Sequence, residues 1–147
     1  MNERARSWRQ RKVWGFILVA LLFLFGESWA AAVPGLFGTY WRAIEIDGSA
    51  VTVTLPAREP HIVLRGKGNR VQGSTGCNRF SGSFVQKDDR FSFKPLAVTR
   101  MACPPPANAL EQSFLGALKA TSRIQQVGNI LELRDDQGSL RMRLQAK

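Results

Sequence analysis

The chain has 147 residues, enough for one domain of common size once an N-terminal leader is set aside. With 44% hydrophobic and 22% charged residues, the composition is that of a folded globular protein and excludes wholesale disorder. Five of the 21 basic and two of the 11 acidic residues precede position 33, which leaves the remainder a net charge of +7. That surplus permits contact with anionic partners and has no bearing on the fold.

The first 32 residues have the organisation of a secretory signal peptide: a basic stretch (1–12), an apolar stretch (13–25) and small side chains (28–32). The apolar stretch is shorter than the roughly 20 residues that span a bilayer, and Glu27 interrupts its extension. We predict cleavage after Ala30 or Ala32. The alternative is an uncleaved membrane anchor through residues 13–33.

Both readings place the body outside the cytoplasm, either periplasmic or secreted, or anchored to the inner membrane. We therefore expect no nucleic-acid partner. The apolar stretch is not followed by a cysteine, so a lipoprotein anchor has no attachment point.

The body begins with a predicted lead-in (33–40) that is rich in chain-breaking glycine and proline. Alternating apolar residues then predict a first strand (39–46), a short second strand over VTVTL (51–55) and a hairpin (61–73). In the next hairpin, two phenylalanine sets reach one core if the turn lies at Asp88-Asp89. That register pairs Phe84 with Phe93, Gln86 with Phe91, and Lys87 with Arg90.

Three prolines (104–106) argue against helix before position 107, and Asn108 with Glu111 has the spacing of a capping box. Apolar residues then recur every three or four positions, which predicts an amphipathic helix from Ala109 to about Ala120.

In the last hairpin, Leu131 and Leu133 are predicted to face Leu140 and Met142, and Glu132 to pair with Arg141 on the outside. Six to eight strands and one helix indicate an α+β fold, a curved, open-barrel-like antiparallel sheet packed around the helix.

Cys77 and Cys103 are the only cysteines. In an exported chain, with no His or Cys cluster beside them, an even pair favours a disulfide over a metal site. The alternative is two unpaired buried thiols.

The sequence offers few candidate catalytic residues, and none of them has an identifiable partner. The sole histidine, His61, precedes an apolar strand and has no partner that the sequence identifies, and Asp88-Asp89 and Asp135-Asp136 fall where turns favour aspartate. We predict no catalytic, cofactor or metal site.

The polar residues nearest the cysteines are Asn78, Arg79 and Arg100. With the bridge formed they would cluster and could bind a carboxylate or phosphate. The structural alternative has Asn78 bonded to local backbone and the arginines lying along apolar surface.

The segments GCNRFSGSF and TRMAC, followed by the helix, resemble the META domain family from about Trp41 to Leu144. The resemblance is carried by the following residues: Gly76, Cys77, Asn78, Phe80, Gly82, Thr99, Met101, Ala102, Cys103, Glu111, Leu131, Leu133, Gly138 and Leu140. It implies a domain over 41–147, a curved sheet with a packed helix, and a bridge in members that have both cysteines.

The resemblance also implies an exported or membrane-anchored protein, in some members heat-induced or linked to antibiotic tolerance, with no defined molecular activity. We therefore expect a noncatalytic envelope protein that binds an envelope protein or has a structural role under stress. One alternative is a binder of anionic lipid or another envelope component. A hydrolase using His61 ranks below it.

Overall fold

A computed structural model describes residues 32–53 and 59–147, and within these ranges the chain forms ten strands and one helix. The strands are β1 (Trp41–Ile46), β2 (Ser49–Ala50), β3 (His61–Arg65), β4 (Arg70–Ser74), β5 (Arg79–Lys87), β6 (Arg90–Phe93), β7 (Ala97–Val98), β8 (Arg123–Val127), β9 (Ile130–Arg134) and β10 (Leu140–Ala146). The helix, α1, is Pro105–Ala120. The predicted α+β class is confirmed.

The sheet is antiparallel and curls into a nearly closed barrel. Its strands follow the order β6-β5-β4-β3-β1-β10-β9-β8, with β2 paired to β1 and β7 paired to β5. The two ends of this path meet at a seam, where the Phe91 N–H donates to the Ser122 carbonyl oxygen at 2.9 Å. The open-barrel-like sheet predicted from the strand pattern is therefore what forms.

The core fills the barrel and includes one face of α1. Phe114, Ala117 and Leu118 are its buried helical residues, as the periodicity predicts. They pack with the inward-facing residues of the strands: Trp41, Ala43, Ile46, Ile62, Leu64, Val71, Phe80, Phe84, Phe91, Leu131, Leu133, Met142 and Leu144. Burial of this apolar surface is the main force that closes the sheet around the helix.

The register of the phenylalanine hairpin is confirmed, with Phe84 opposite Phe93 and Lys87 opposite Arg90. Its turn places Asp88 in the left-handed region, at φ 55°, a conformation that aspartate tolerates. The rings of Phe84 and Phe91 stack at 4.8 Å between centroids.

The closing hairpin differs from the prediction. The predicted pair of Glu132 with Arg141 sets Leu133 opposite Leu140 and Leu131 opposite Met142, whereas the structure has Leu133 opposite Met142 and Leu131 opposite Leu144. The difference has two sources: a longer turn, which sets Arg134 opposite Leu140, and an irregularity in β10 between Leu140 and Met142. The shift sets Glu132 opposite Arg143, so the predicted pair of Glu132 with Arg141 is wrong.

The predicted start of the helix is also wrong. It begins at Pro105, four residues before Ala109, with prolines at its first positions and no side-chain cap. Proline is tolerated there because the first helical N–H groups have no intrahelical partner to lose. Asn108 lies inside the helix, and its amide donates to the Cys103 carbonyl oxygen at 3.0 Å.

The second predicted strand is only partly testable. Val51–Val53 is not a strand, whereas Ser49–Ala50 pairs with β1; the rest of VTVTL falls outside the described residues. The signal-peptide prediction over 1–32 lies almost wholly outside them as well. In the part of the chain that is described, no helix has the length and apolar character to span a membrane.

The lead-in contains no helix or strand, and polar bonds attach it to the barrel. The Gly38 N–H donates to the Leu64 carbonyl oxygen at 2.8 Å, and the Trp41 indole donates to the Leu36 carbonyl oxygen at 3.0 Å. The Phe37 ring stacks on that of Phe84 at 6.3 Å between centroids.

Candidate functional site

The two cysteines form a disulfide in the structure, with their Cα atoms 6.1 Å apart. Cys77 lies in the turn between β4 and β5, and Cys103 lies two residues before α1. The bond therefore joins the sheet to the start of the helix. It is the pairing that the sequence predicts.

Asn78 is the centre of a buried polar network beside the disulfide, with only 3% of its surface exposed. Its Oδ1 accepts from the Thr99 hydroxyl at 2.9 Å and from the Met101 N–H at 2.8 Å. Its amide donates to the Glu111 carboxylate, at 2.9 Å to the nearer oxygen. The side chain thus connects three segments of the chain.

Thr75 completes the network from the β4 side. Its hydroxyl donates to Glu111 Oε2 at 2.6 Å and accepts from the Asn78 N–H at 2.9 Å. We call this set of residues the latch: Thr75, Cys77, Asn78, Thr99, Cys103 and Glu111. Because its polar atoms bond to one another, the buried groups of the latch are satisfied within the fold.

The three residues of the predicted polar cluster have different environments. The side chain of Asn78 is buried in the latch, whereas Arg79 and Arg100 are exposed. Within the described ranges, neither guanidinium forms an ion pair. Arg79 instead lines a groove on the outer face of the sheet. Because successive side chains point to opposite faces, Asn78 and Arg79 lie on opposite faces of the sheet.

This outer groove has a volume of about 710 Å³ and crosses β3, β4, β5 and β7. Cross-strand pairing sets His61 opposite Ser74, and Ser74 opposite Arg79, in one row. The Ser74 hydroxyl accepts from the Gly76 N–H at 3.1 Å. The exposed guanidinium of Arg79 is the group in this row that can contact an anion. The row of His61, Ser74 and Arg79 results from strand pairing, and the sequence analysis did not predict it.

His61 is anchored at the rim of the outer groove. Its ring stacks on Tyr40 at 4.1 Å between centroids, and its Nδ1 lies 2.9 Å from the Glu59 carbonyl oxygen. The Tyr40 hydroxyl donates to the Glu59 carboxylate at 3.1 Å, and Lys147 contacts the same oxygen. Ring stacking and the contact of Nδ1 with the Glu59 carbonyl oxygen therefore fix the position of the His61 ring.

Burial, followed by the bond to Glu59, raises the pKa of Tyr40 to about 12. Burial opposes ionisation of Glu59 as well. Hydrogen bonds from Lys147 and Tyr40 outweigh it and lower the Glu59 pKa below its ordinary value. Glu59 is therefore a carboxylate held in its charged form by its neighbours.

The paired aspartates serve turns, as predicted from their positions. Asp135 accepts from the Ser139 N–H at 2.8 Å and from the Gln137 N–H at 3.1 Å, and Asp89 pairs with Arg123 at 3.3 Å. In the part of the chain that is described, the His, Cys, Asp and Glu side chains make no group of three or more suited to a metal ion.

A second polar network lies on the surface of β1, β9 and β10. Glu132 bonds to Arg134 and Arg143, and Arg143 also bonds to Glu45. We call these four residues the ion-pair ladder. The bond from Arg134 lowers the Glu132 pKa below its ordinary value; burial opposes this and the bond from Arg143 adds to it.

Sequence reasoning missed the latch as a unit. It identified Asn78 and Glu111, but it offered Asn78 either as part of a ligand cluster or as bonded to local backbone, and it placed Glu111 in a capping box. The available signal was the joint presence of Asn78, Thr99, Met101 and Glu111 among the residues that carry the family resemblance. No local spacing connects them, since 33 residues separate Asn78 from Glu111.

Comparison with known proteins agrees with this architecture. The family model described as META domain matches residues 34–147. An NMR structure of a protein is similar at 27% identity and a TM-score of 0.57, over 73% of this chain and 87% of that chain. An NMR structure of a protein from Burkholderia xenovorans is similar at 29% identity and a TM-score of 0.56, over 80% and 93%. No curated protein matches.

Proposed function

Because the chain belongs to the META domain family, we propose that it is an exported, noncatalytic domain that binds an envelope component and supports the cell envelope under stress. One observation carries this proposal: residues that carry the family resemblance build the latch. Cys77, Asn78, Thr99, Cys103 and Glu111 all belong to it.

The residues of the latch stabilise the fold. The Asn78 amide and the Glu111 carboxylate bond to each other, and the thiols are joined, so these groups are already used inside the fold. A family signature of this kind specifies a shape, and function then resides on surfaces outside it. That division suits a binding or structural protein.

Export is the second part of the proposal and rests on the leader-like residues 1–32. A disulfide supports the same compartment, because such bonds persist outside the reducing cytoplasm. The domain would then act in the periplasm, or outside the cytoplasm on an inner-membrane anchor.

Gene deletion followed by complementation tests the proposal. The deleted strain should grow poorly under heat and under a bulky hydrophobic antibiotic, and the full chain should restore growth. A variant without residues 1–32 should fail to restore growth, since it would stay in the cytoplasm. Wild-type growth of the deleted strain under both challenges would contradict the stress role.

The same strain separates a binding protein from a hydrolase. His61→Ala should restore growth as well as the parent chain, because we assign the ring no chemistry. If a folded His61→Ala protein failed to restore growth and lost turnover in a broad substrate screen, the hydrolase alternative would replace our proposal.

A further inference from the structure

A groove lies between α1 and the segment that joins β6 to β7, and it shares one lining residue, Val98, with the outer groove. Its volume is about 540 Å³, within the usual range for small-molecule sites of roughly 300–1,000 Å³. Five apolar side chains and two lysines line it: Phe93, Pro95, Leu96, Val98, Leu115, Lys94 and Lys119. We call it the helix-side groove.

Gly82 allows the segment after β6 to pack closely against β5. The segment after β6 stays on β5, where the Lys94 N–H donates to the Ser83 carbonyl oxygen at 2.9 Å and Val98 pairs with Phe80. Between these points Leu96 sits directly over Gly82, and a Cβ there would lie 2.6 Å from Leu96 Cδ2. This close approach lowers Leu96 into the floor of the groove.

The floor is apolar and only partly covered. Phe93, Leu96, Val98 and Leu115 pack against the core, yet each remains partly open to solvent. Covering such surface with an acyl chain is favourable, because each methylene group leaves water. The floor therefore suits a flexible hydrocarbon ligand.

The rim carries positive charge. Lys94 and Lys119 are exposed, and across residues 32–53 and 59–147 neither ammonium group forms an ion pair. Lys119 lies in the last turn of α1, where a cation is favourable. An apolar floor with two cations at its rim is complementary to an amphiphile with an anionic head.

From this complementarity we propose that the helix-side groove binds a long-chain fatty acid, with the acyl chain on the floor and the carboxylate paired by Lys94 and Lys119. Lysine ammonium groups can pair with a carboxylate or with a phosphate. We choose the carboxylate because it is the smaller head group for a groove lined by only two lysines, and a phosphate headgroup is tested as the alternative. This inference rests on the proposed binding role and names its ligand.

Photolabelling tests it on the full chain in envelope membranes from cells that produce it. The probes are a fatty acid with a diazirine on its acyl chain, the matching fatty alcohol, and a single-chain lysophosphatidylglycerol with the same diazirine. Labelled peptides are identified by mass spectrometry. Lys94→Glu/Lys119→Glu is the test variant. Lys67→Glu/Lys87→Glu is the control, with the same charge change at exposed lysines outside the groove.

We expect the fatty acid to label peptides that contain Leu96 or Leu115. In the test variant, the labelling of these peptides should fall about tenfold relative to the parent chain. The control variant should label like the parent chain, and the alcohol should label weakly in all three. Equal loss in both variants, or label elsewhere in the chain, would overturn the site. Stronger labelling by the lysophospholipid than by the fatty acid would overturn the choice of ligand.

The labelling and the growth assay fail independently. A labelled groove in a strain without a stress defect would remove the stress role and keep the site. A stress defect that Lys94→Glu/Lys119→Glu still rescues, together with absent labelling, would remove the site and keep the stress role.

Discussion

The latch and the ion-pair ladder are both networks of polar side chains, but they stabilise the protein to different degrees. Asn78, at the centre of the latch, is 3% exposed, whereas the Arg143 side chain in the ladder is 36% exposed. At the exposed side chains of the ladder, water can replace a lost partner, whereas it cannot reach the buried amide of Asn78. The loss of stability on removing a polar contact therefore depends less on the strength of that contact than on whether a buried group is left unpaired.

The largest effect should come from the covalent part of the latch. Cys77→Ala/Cys103→Ala should lower the free energy of unfolding by roughly 2–5 kcal/mol, since the bridge closes a loop with a sequence separation of 26. Denaturant unfolding of the exported protein measures this. Reductant should lower the melting temperature of the parent and leave that of the double variant unchanged.

Next comes the polar centre of the latch. Asn78→Ala leaves the Met101 N–H without its acceptor and leaves the Glu111 carboxylate with only the Thr75 hydroxyl as a donor, so it should cost about 3 kcal/mol. Asn108→Ala is the matched control, because it removes the same side chain from an exposed site with one bond to the Cys103 carbonyl oxygen. Its cost should be about 1 kcal/mol or less. Equal costs would erase the contrast between buried and exposed polar groups.

The ladder should respond to acid. The lowered pKa of Glu132 means that its contribution is fully present above its ordinary pKa of 4.5 and is lost as the pH falls through the lower folded value. Glu132→Gln should therefore cost about 1 kcal/mol at neutral pH, and nothing once the parent residue is protonated. Unfolding measured from pH 7 to pH 3 tests this; a constant difference would contradict it.

The smallest effect should come from an isolated surface pair. Arg123 and Asp89 lie 3.3 Å apart, with 38% and 71% of their side chains exposed. Arg123→Gln should change the unfolding free energy by less than about 0.5 kcal/mol, and high salt should remove even that. A larger loss that persists in high salt would show that Arg123 has a role beyond this ion pair.

Sequence reasoning succeeded where the determining pattern is local. Alternating phenylalanines about a tight turn specify the pairing of Phe84 with Phe93, because any one-residue slip exposes a ring. The amphipathic stripe of α1 likewise follows from spacing alone. Both patterns lie within a few consecutive residues.

It failed where the determining contacts are distant or irregular. Nothing near Glu111 shows that its carboxylate bonds to Thr75, 36 residues earlier. The longer turn between Arg134 and Leu140 and the irregularity after Leu140 have no sequence marker, and together they pair Glu132 with Arg143 in place of Arg141. The three prolines predict a helix that starts after them, whereas the helix begins within the run, because the first turn is where proline is tolerated.

The central claim is that the family signature builds a scaffold, and a double-mutant cycle between Asn78→Ala and Glu111→Ala tests it most directly. We expect the unfolding free energies to be non-additive by about 1–3 kcal/mol, because the two side chains share one buried bond. The folded fraction of each variant should retain the growth phenotype of the parent. Additive, near-zero stability changes together with loss of that phenotype would contradict the claim and make Asn78 and Glu111 functional residues.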